Sequence, residues 1–294
     1  MKKIFYYILF FILTACNSVI HEENIIYVDI DNAKSINFSE WFSKVEIIPL
    51  ETNRSSVINE CYKTVFANQR FYIYDQRQSA VFVFDSVGKF LFNTLSLKGR
   101  GPGEYLSMSD FSINRFTGNI EILDAFSFAI RVYDKDGSFI KSIRLTQDLL
   151  PLGTFQQLSS DLYLFNSPDY EKTKTTIKVY SIRKNEIVKK ILPLPKNTRH
   201  LPVTNRTDFS YLFNGDVLFS YKFPNNDIFL IDTMSAVVAQ YKYNFGRHTF
   251  NLKKLPTNRD KTFYTLNPQS KILVYFRKVL MLFFLQKLIL EEKF

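Results

Sequence analysis

The 294 residues are enough for one large all-β domain or two smaller ones, and 30 Phe and 17 Tyr supply large flat side chains suited to packed sheets. The formal charge of +10 is scattered along the chain, without the basic stripe interleaved with aromatics that a nucleic-acid partner requires. We therefore expect no nucleic-acid binding and an ordinary solvated surface.

The N-terminal segment has the pattern of an export signal. Lys2 and Lys3 precede an apolar run, which ends in Leu13-Thr14-Ala15-Cys16. A basic start, a short apolar run and small residues form the order of a secretory signal. The last four residues resemble the bacterial lipobox, in which the cysteine thiol carries a diacylglycerol.

We therefore predict a lipoprotein signal peptide at residues 1–15 and a lipid anchor on Cys16. Acyl chains on Cys16 would hold the protein in the membrane of the cell envelope, the outer membrane rather than the inner one. The alternative is a plain secretory signal, with Cys16 buried or removed. A lipidated Cys16 leaves Cys61 without a disulfide partner, and we expect Cys61 to be a buried small hydrophobe.

Residues 16–38 form a tether followed by a first strand, Ile25–Ile30. Ser39–Phe42 has the start signals of a helical turn, because Ser and Glu favour that position. Val45–Thr52 is predicted as a strand whose Pro49 belongs at an edge or a bulge. In a closed propeller, an early strand of this kind often completes the last blade.

A two-strand pattern then repeats four times within residues 39–267. Its clearest copy pairs Phe71–Asp75 with Val81–Asp85, two runs of β-formers separated by a polar turn. The second strands of the four copies close at Asp85, Asp134, Ser181 and Asp232, so the steps are 49, 47 and 51 residues. A period near fifty with several strands predicts an all-β fold, a β-propeller.

Aspartates recur within this pattern. Asp75 and Asp124 each lie ten residues before the closing aspartate of their copy, and Asp232 closes the fourth copy. A strand-ending Asp usually accepts hydrogen bonds from nearby backbone N–H groups. Inward-facing carboxylates from several blades could instead converge on a metal at the axis.

A glycine-rich loop follows the first copy: Gly99, Arg100, Gly101, Pro102, Gly103, Glu104 and Tyr105. Alternate glycines around a proline favour a sharp turn with exposed N–H groups, so an anion or ligand could bind here with Arg100 as a cationic arm. The loop lacks the phosphate-binding patterns and precedes a strand, so no helix N-terminus assists. A structural turn between blades is the competing interpretation.

Residues 268–294 form an atypical tail. The segment 271–290 is largely apolar, but its polar residues fall on all sides of a helical projection. We predict a helical tail and an incomplete propeller of four to five blades. Two origins of the tail stay open: an out-of-frame remnant in place of missing blades, or a true structural element.

Four motifs together identify a family resemblance: Leu13–Cys16, Ile48-Pro49-Leu50-Glu51-Thr52, Gly99–Tyr105 and the hairpins that end in Asp. They resemble the six-bladed β-propeller lipoproteins of Bacteroides and its relatives (NHL-type propellers), over about residues 1–267. The resemblance implies a cell-envelope location and four-stranded blades. It carries no catalytic residue over to this chain.

Two functions follow from this reading. The first is a non-enzymatic binding lipoprotein that recognises a protein or glycan partner in the envelope, with no cofactor. The alternative is a metal-dependent propeller hydrolase or lyase. His21, His200 and His248 are too dispersed in the sequence to indicate a metal site, and no Gly-x-Ser-x-Gly nucleophile motif occurs. We therefore predict no catalytic and no metal-binding residues.

Overall fold

The structure, a computed structural model, describes residues 22–29, 31–32, 37–40, 42–169, 172–194, 209–212, 214–220 and 227–249. The predicted signal peptide, Cys16 and the tail 268–294 lie outside these ranges. Within them the chain is built of β-strands, with single 3₁₀ turns at Phe38–Glu40, Leu95–Leu97, Gln147–Leu149 and Gly246–His248. None of the helices in the described ranges is long and apolar enough to cross a membrane.

The strands form four sheets that follow one another along the chain as blades of a β-propeller. β1 (Glu22–Tyr27) precedes blade 1, whose strands are β2 (Cys61–Ala67), β3 (Arg70–Asp75), β4 (Ala80–Asp85) and β5 (Phe90–Asn93). Blade 2 comprises β6 (Met108–Ile113), β7 (Ile120–Asp124), β8 (Ala129–Tyr133) and β9 (Phe139–Arg144).

Blade 3 comprises β10 (Phe155–Gln157), β11 (Leu162–Asn166), β12 (Thr175–Ser181) and β13 (Glu186–Pro193). Blade 4 comprises β14 (Phe209–Tyr211), β15 (Val217–Ser220), β16 (Asp227–Ile231) and β17 (Val237–Asn244). Each blade is an antiparallel meander, and the predicted two-strand repeat is its central pair. The propeller prediction is confirmed, with four blades in the described part of the chain.

The blades are held together by apolar clusters on their faces. One cluster joins blades 1 and 2, for example Val83 with Phe111, a second joins blades 2 and 3, and a third joins blades 3 and 4. None of the clusters formed by described residues joins blade 4 to blade 1. The strand β4 (Ala80–Asp85) is buried on both faces, by blade 2 on one side and by the segment before blade 1 on the other, as its continuous apolar run requires.

The free face of blade 1 is covered by the segment before it. Leu50 and Ile58 pack on the cluster around Phe82 and Phe84. The prediction of a strand at Val45–Thr52 is wrong, because residues 44–52 have no strand structure. The backbone instead meets the outer turn and edge of blade 1, where Glu51 N–H donates to Gly88 O and the Glu51 carboxylate accepts from Phe90 N–H.

The strand that pairs with the far end of the chain is β1. It adds to the outer edge of blade 4, parallel to β17, with Ile26 opposite Tyr243. Ile26 and Val28 pack on the free face of blade 4 beside Ile228 and Tyr243. The early segment therefore extends the last described blade, as expected, but the residues that do so lie about twenty positions earlier than Val45–Leu50.

Candidate functional site

The innermost strands of blades 1 to 3 carry buried polar side chains toward the propeller axis. Lys63 lies on β2, Asp110 and Ser112 on β6, and Gln156 on β10, and each is less than a tenth exposed. Buried polar groups of this kind require partners, since an unpaired one costs about 1–3 kcal/mol.

Lys63 and Asp110 form the centre of this axial network. Lys63 Nζ donates to Asp110 Oδ1 at 2.9 Å and to the carbonyl of Phe111 at 2.5 Å. The second oxygen of Asp110 accepts the N–H of Phe155 at 3.1 Å, so one carboxylate links blades 1, 2 and 3. Gln156 Nε2 donates to Ser112 Oγ at 3.2 Å. These groups satisfy one another, and the arrangement holds strands together.

A second buried polar cluster lies between blades 2 and 3. The carboxyl of Glu121 accepts from Asn114 Nδ2 at 2.7 Å and from the hydroxyl of Tyr163 at 2.8 Å, both at Oε1. Its Oε2 is buried without a hydrogen-bond partner among the described atoms. Burial raises the pKa of Glu121, while the hydrogen bonds from Asn114 and Tyr163 oppose that rise. The environment therefore stabilises the neutral acid relative to an ordinary carboxyl group.

The glycine-rich loop Gly99–Tyr105 connects blade 1 to blade 2. The Glu104 carboxylate folds back and accepts the N–H of Gly101 at 2.7 Å, and it lies where a side chain on Gly99 would be. Gly103 has φ +78°, the left-handed region, and its carbonyl accepts from the hydroxyl of Tyr133. Because a carboxylate of the loop already occupies the Gly101 N–H, the loop geometry favours an inter-blade turn.

Tyr105 anchors the same loop in the core. Its ring is fully buried, and its hydroxyl bonds Thr94 Oγ1 at 2.8 Å and donates to Ser79 O at 2.9 Å. Arg100 and Pro102 are exposed. A role for Arg100 in ligand binding stays a prediction.

The repeated aspartates serve as turn acceptors. Asp75 accepts from the N–H groups of Asn59 and Gln78, and Asp124 accepts from those of Leu106 and Ser127. Each carboxylate thereby links the segment that leads into its blade to the turn after the second strand of that blade. Asp232 accepts from Met234 and Ala236 within its own hairpin.

The remaining candidates for chemistry do not assemble. Cys61 is exposed at the first position of β2, so the prediction of a buried cysteine is wrong; the register of β2 shifts between Cys61 and Lys63, and Cys61 does not share the burial of Lys63. His248 contacts Asp31 at 2.9 Å on the surface, beside Arg247. His21 and His200 lie outside the described residues. No group of three or more His, Cys, Asp or Glu side chains placed to hold a metal occurs in the described ranges.

The described residues form an open cleft of about 970 Å³ on the outer part of blade 3, here called the blade 3 cleft. Its walls are the connection from blade 2, the hairpin between β11 and β12, and the edge strand β13. The described lining is mostly polar and charged, with four apolar residues and no aromatic side chain: Thr146, Gln147, Asp148, Leu150, Pro168, Asp169, Lys172, Lys178, Asn185, Glu186, Ile187, Val188, Lys189 and Lys190.

The lysines of the cleft are held in defined positions. Lys178 is 4% exposed, and its Nζ donates to the carbonyls of Asp148 at 2.7 Å and Leu150 at 2.9 Å. Lys190 Nζ lies 3.4 Å from Asp169 Oδ2. Lys189 Nζ reaches blade 4 and donates to the carbonyl of Ser235 at 2.7 Å. Burial, with a further contribution from the charge of Lys190, lowers the pKa of Lys178.

Neither the axial network nor the blade 3 cleft was identified from the sequence. The sequence does contain one signal, a lysine inside the otherwise apolar run Ile177-Lys178-Val179-Tyr180. A charged residue in a strand expected to be buried on both faces requires a partner or a cavity. This argument would have identified Lys178 as a candidate site residue from the sequence.

Comparisons with known proteins support the fold. The family described as Domain of unknown function (DUF4934) matches residues 22–285, which includes part of the predicted tail. A Bacteroides fragilis protein described as exported shares 19% sequence identity, with a TM-score of 0.58 over 76% of this chain and 61% of that one. At this level of identity the likeness shows the propeller fold alone.

Other solved structures are more distant. A DUF4221 family member from Bacteroides vulgatus has 12% identity and a TM-score of 0.45, over 66% of this chain and 60% of that one. A virginiamycin B lyase from Staphylococcus aureus has 12% identity and a TM-score of 0.40, over 67% and 59%. The chain thus spans about three fifths of the length of these proteins. No curated protein matches it.

Proposed function

We propose that this chain, which belongs to the DUF4934 family, is a binding scaffold of the cell envelope that recognises a protein or glycan partner through the blade 3 cleft. The observation that carries the proposal is the cleft itself, about 970 Å³ in volume and open to solvent. Its volume is in the range of sites for small ligands, about 300–1,000 Å³.

The distribution of polar groups favours the cleft over the axis. In the axial network, both oxygens of Asp110 accept hydrogen bonds within the protein, and the side chains of Asp110 and Lys63 are less than a tenth exposed. In the cleft, Lys172 and Asp148 are exposed beside the fixed lysines. A ligand therefore meets free polar groups at blade 3.

The lining favours a saccharide over a protein partner. The centres of protein interfaces are rich in aromatic side chains and poor in lysine and carboxylates. The described walls of the cleft have the opposite composition, with four lysines and three carboxylates. Such groups suit the hydroxyls and charged substituents of a sugar, so a protein partner becomes an outcome to be tested.

The location rests on the sequence. The order of Lys2, Lys3, the apolar run and Cys16 supports export followed by lipidation, which places the scaffold on the envelope, with the outer membrane as its expected site. A binding role needs no catalytic residue. Among the described residues, the aspartates that repeat by blade form ion pairs or accept hydrogen bonds in turns.

A matched pair of variants tests the cleft. Val188 on β13 lines the cleft and is 40% exposed, and Ile140 on β9 has a similar setting on blade 2 and is 46% exposed. We expect the full-length protein to retain members of an immobilised saccharide panel, Val188→Trp to lose them, and Ile140→Trp to keep them. Retention that is indifferent to Val188→Trp, or retention of no saccharide, would overturn the proposal in favour of another surface or a protein partner.

A further inference from the structure

Blade 3 places two positive charges directly opposite each other. Lys178 on β12 and Lys190 on β13 are cross-strand partners, and like charges in that relation repel and destabilise a sheet. Lys178 lies three residues before Ser181, which closes its copy of the repeat. The equivalent cross-strand pairs in the other blades are Phe82 with Asn93 in blade 1, Arg131 with Ser142 in blade 2 and Phe229 with Gln240 in blade 4. None of these other pairs holds two cations.

Blade 3 also lacks the carboxylate that accompanies the cation in blade 2. Arg131 stands opposite Ile122, and Asp124, two residues further on, lies 3.8 Å from its guanidinium. In blade 3 Lys178 stands opposite Phe165, and the residue two positions on is Ser167. Ser167 is fully buried and donates to the carbonyl of Leu149. The internal counter-charge has therefore been replaced by a neutral group.

Within the described ranges, one hydrogen-bonding direction of Lys178 has no acceptor. An ammonium has three N–H donors, and the carbonyls of Asp148 and Leu150 accept two of them. None of the described carboxylates forms an ion pair with Lys178. The third donor belongs to a side chain that is 4% exposed and lines the cleft, so its direction is fixed by the fold.

The carboxylates around the pair have their own contacts. Asp169 faces Lys190 and also accepts from the N–H groups of Lys172 and Thr173. Glu186 lies 3.9 Å from Lys184. The side chain of Asp148 is exposed at the rim. Asp169 is the carboxylate that pairs with this lysine pair, at 3.4 Å from Lys190, and Asp148 acts on Lys178 only through its charge. Lys178 therefore has no carboxylate in ion-pair contact among the described residues, and a ligand anion can take that position.

We propose that the Lys178–Lys190 pair is an anion subsite of the blade 3 cleft, and that the saccharide bound there carries a negatively charged group between the two ammonium groups. This inference rests on the proposed function, because it assigns the chemistry of the ligand at the same cleft. The charged group is a carboxylate, as in a uronic acid, or a phosphate. Both accept charge-assisted hydrogen bonds from lysine.

Calorimetric titration of the full-length protein tests the subsite with three probes: trigalacturonate, its neutral counterpart galactotriose, and inorganic phosphate. We expect trigalacturonate to bind about tenfold more tightly than galactotriose, the ratio that one charge-assisted hydrogen bond gives. Lys178→Met and Lys190→Met should each remove that advantage. Lys190 is the safer substitution, since its side chain is 32% exposed. Lys141→Met, an exposed lysine on β9, removes the same charge away from the cleft and should change nothing.

The outcomes separate the inference from the proposed function. Phosphate binding that depends on both lysines, without preference for trigalacturonate, supports the subsite and identifies phosphate as its ligand group. Equal affinity for the two trisaccharides, lost in Val188→Trp but kept in both lysine variants, overturns the anion subsite while the cleft remains a binding site. Absence of binding by all three probes overturns the anion subsite, and the saccharide panel then decides the proposed function independently.

Discussion

The ammonium group of Lys63 on blade 1 lies 2.9 Å from the carboxylate of Asp110 on blade 2, with both side chains less than a tenth exposed. Lys63 also lies over the ring of Phe111, 5.2 Å from its centroid. Because Asp110 additionally accepts the N–H of Phe155, this ion pair joins the inner strands of three successive blades.

Removing one partner of this pair should destabilise the propeller. Lys63→Met leaves the Asp110 carboxylate buried without its counter-ion, and breaking a buried pair costs about 3–5 kcal/mol. Urea denaturation would measure the loss. The double variant Lys63→Met, Asp110→Asn should lose less than the sum of the two single changes, because it leaves no isolated charge. Additive losses would contradict a direct coupling between the two residues.

The glycine loop should be sensitive at Gly103 and tolerant at Gly101. Gly103 has φ +78°, and a Cβ there would lie 2.5 Å from the ring of Phe139. Gly103→Ala should therefore cost about 1–3 kcal/mol through backbone strain, measured by urea denaturation. Gly101 is outside the left-handed region, and its Cβ would meet the movable Glu104 carboxylate at 3.1 Å. A larger loss for Gly101→Ala than for Gly103→Ala would contradict this assignment.

The Asp124 carboxylate should control local opening of the connection into blade 2. It accepts the N–H groups of Leu106 and Ser107 and the hydroxyl of Ser127. In Asp124→Ala, hydrogen exchange at the amides of Leu106 and Ser107 should become faster, because they lose their acceptor. The amides of Asn59 and Glu60, which contact Asp75 in the same way, serve as the internal control. Unchanged exchange at Leu106 would mean that the Asp124 carboxylate does not control opening of this connection.

The stability contributed by Glu121 should fall as the pH rises. Burial raises its pKa in the folded state above the ordinary value of 4.5. Below pH 4.5 both states are protonated; above it the unfolded state releases the proton first, so the free energy of unfolding declines until the folded pKa is reached. Hydrogen bonds from Asn114 and Tyr163, together with the charge of Lys141, limit the rise in pKa.

Glu121→Gln tests this dependence, since the amide resembles the neutral acid. The free energy of unfolding of the wild type minus that of Glu121→Gln should decrease between pH 4.5 and neutrality, as followed by urea denaturation at several pH values. A difference that increases over the same range would mean that the native state favours the carboxylate.

The lipid anchor predicts a change of fraction. Cys16→Ser removes the thiol that would carry the diacylglycerol, and about 0.8 kcal/mol per buried CH₂ is then lost from membrane attachment. The variant should move from the membrane to the soluble fraction after centrifugation. Cys61→Ser provides the control, because Cys61 lies in the propeller and should leave sedimentation unchanged. Continued sedimentation of Cys16→Ser with membranes would contradict lipidation.

The sequence by itself determined the repeat and its strands. Asp85, Asp134 and Asp232 close their strands as predicted, because alternation, apolar runs and Asp-containing turns are local properties of the chain. It also indicated that an early strand joins the last blade. It did not distinguish Glu22–Tyr27 from Val45–Thr52 for that role, since both have β-forming residues and the choice depends on which blade edge and which blade face each can reach.

Tertiary structure alone decided which polar residues meet. Lys63 and Asp110 are 47 residues apart, so their contact depends on how successive blades pack. Lys178 faces Lys190 only through the register of the hairpin between β12 and β13, which shifts at Val179/Tyr180. A shift of one residue would place each side chain on the opposite face. Local sequence sets the strands, and the packing and register of the blades set the site.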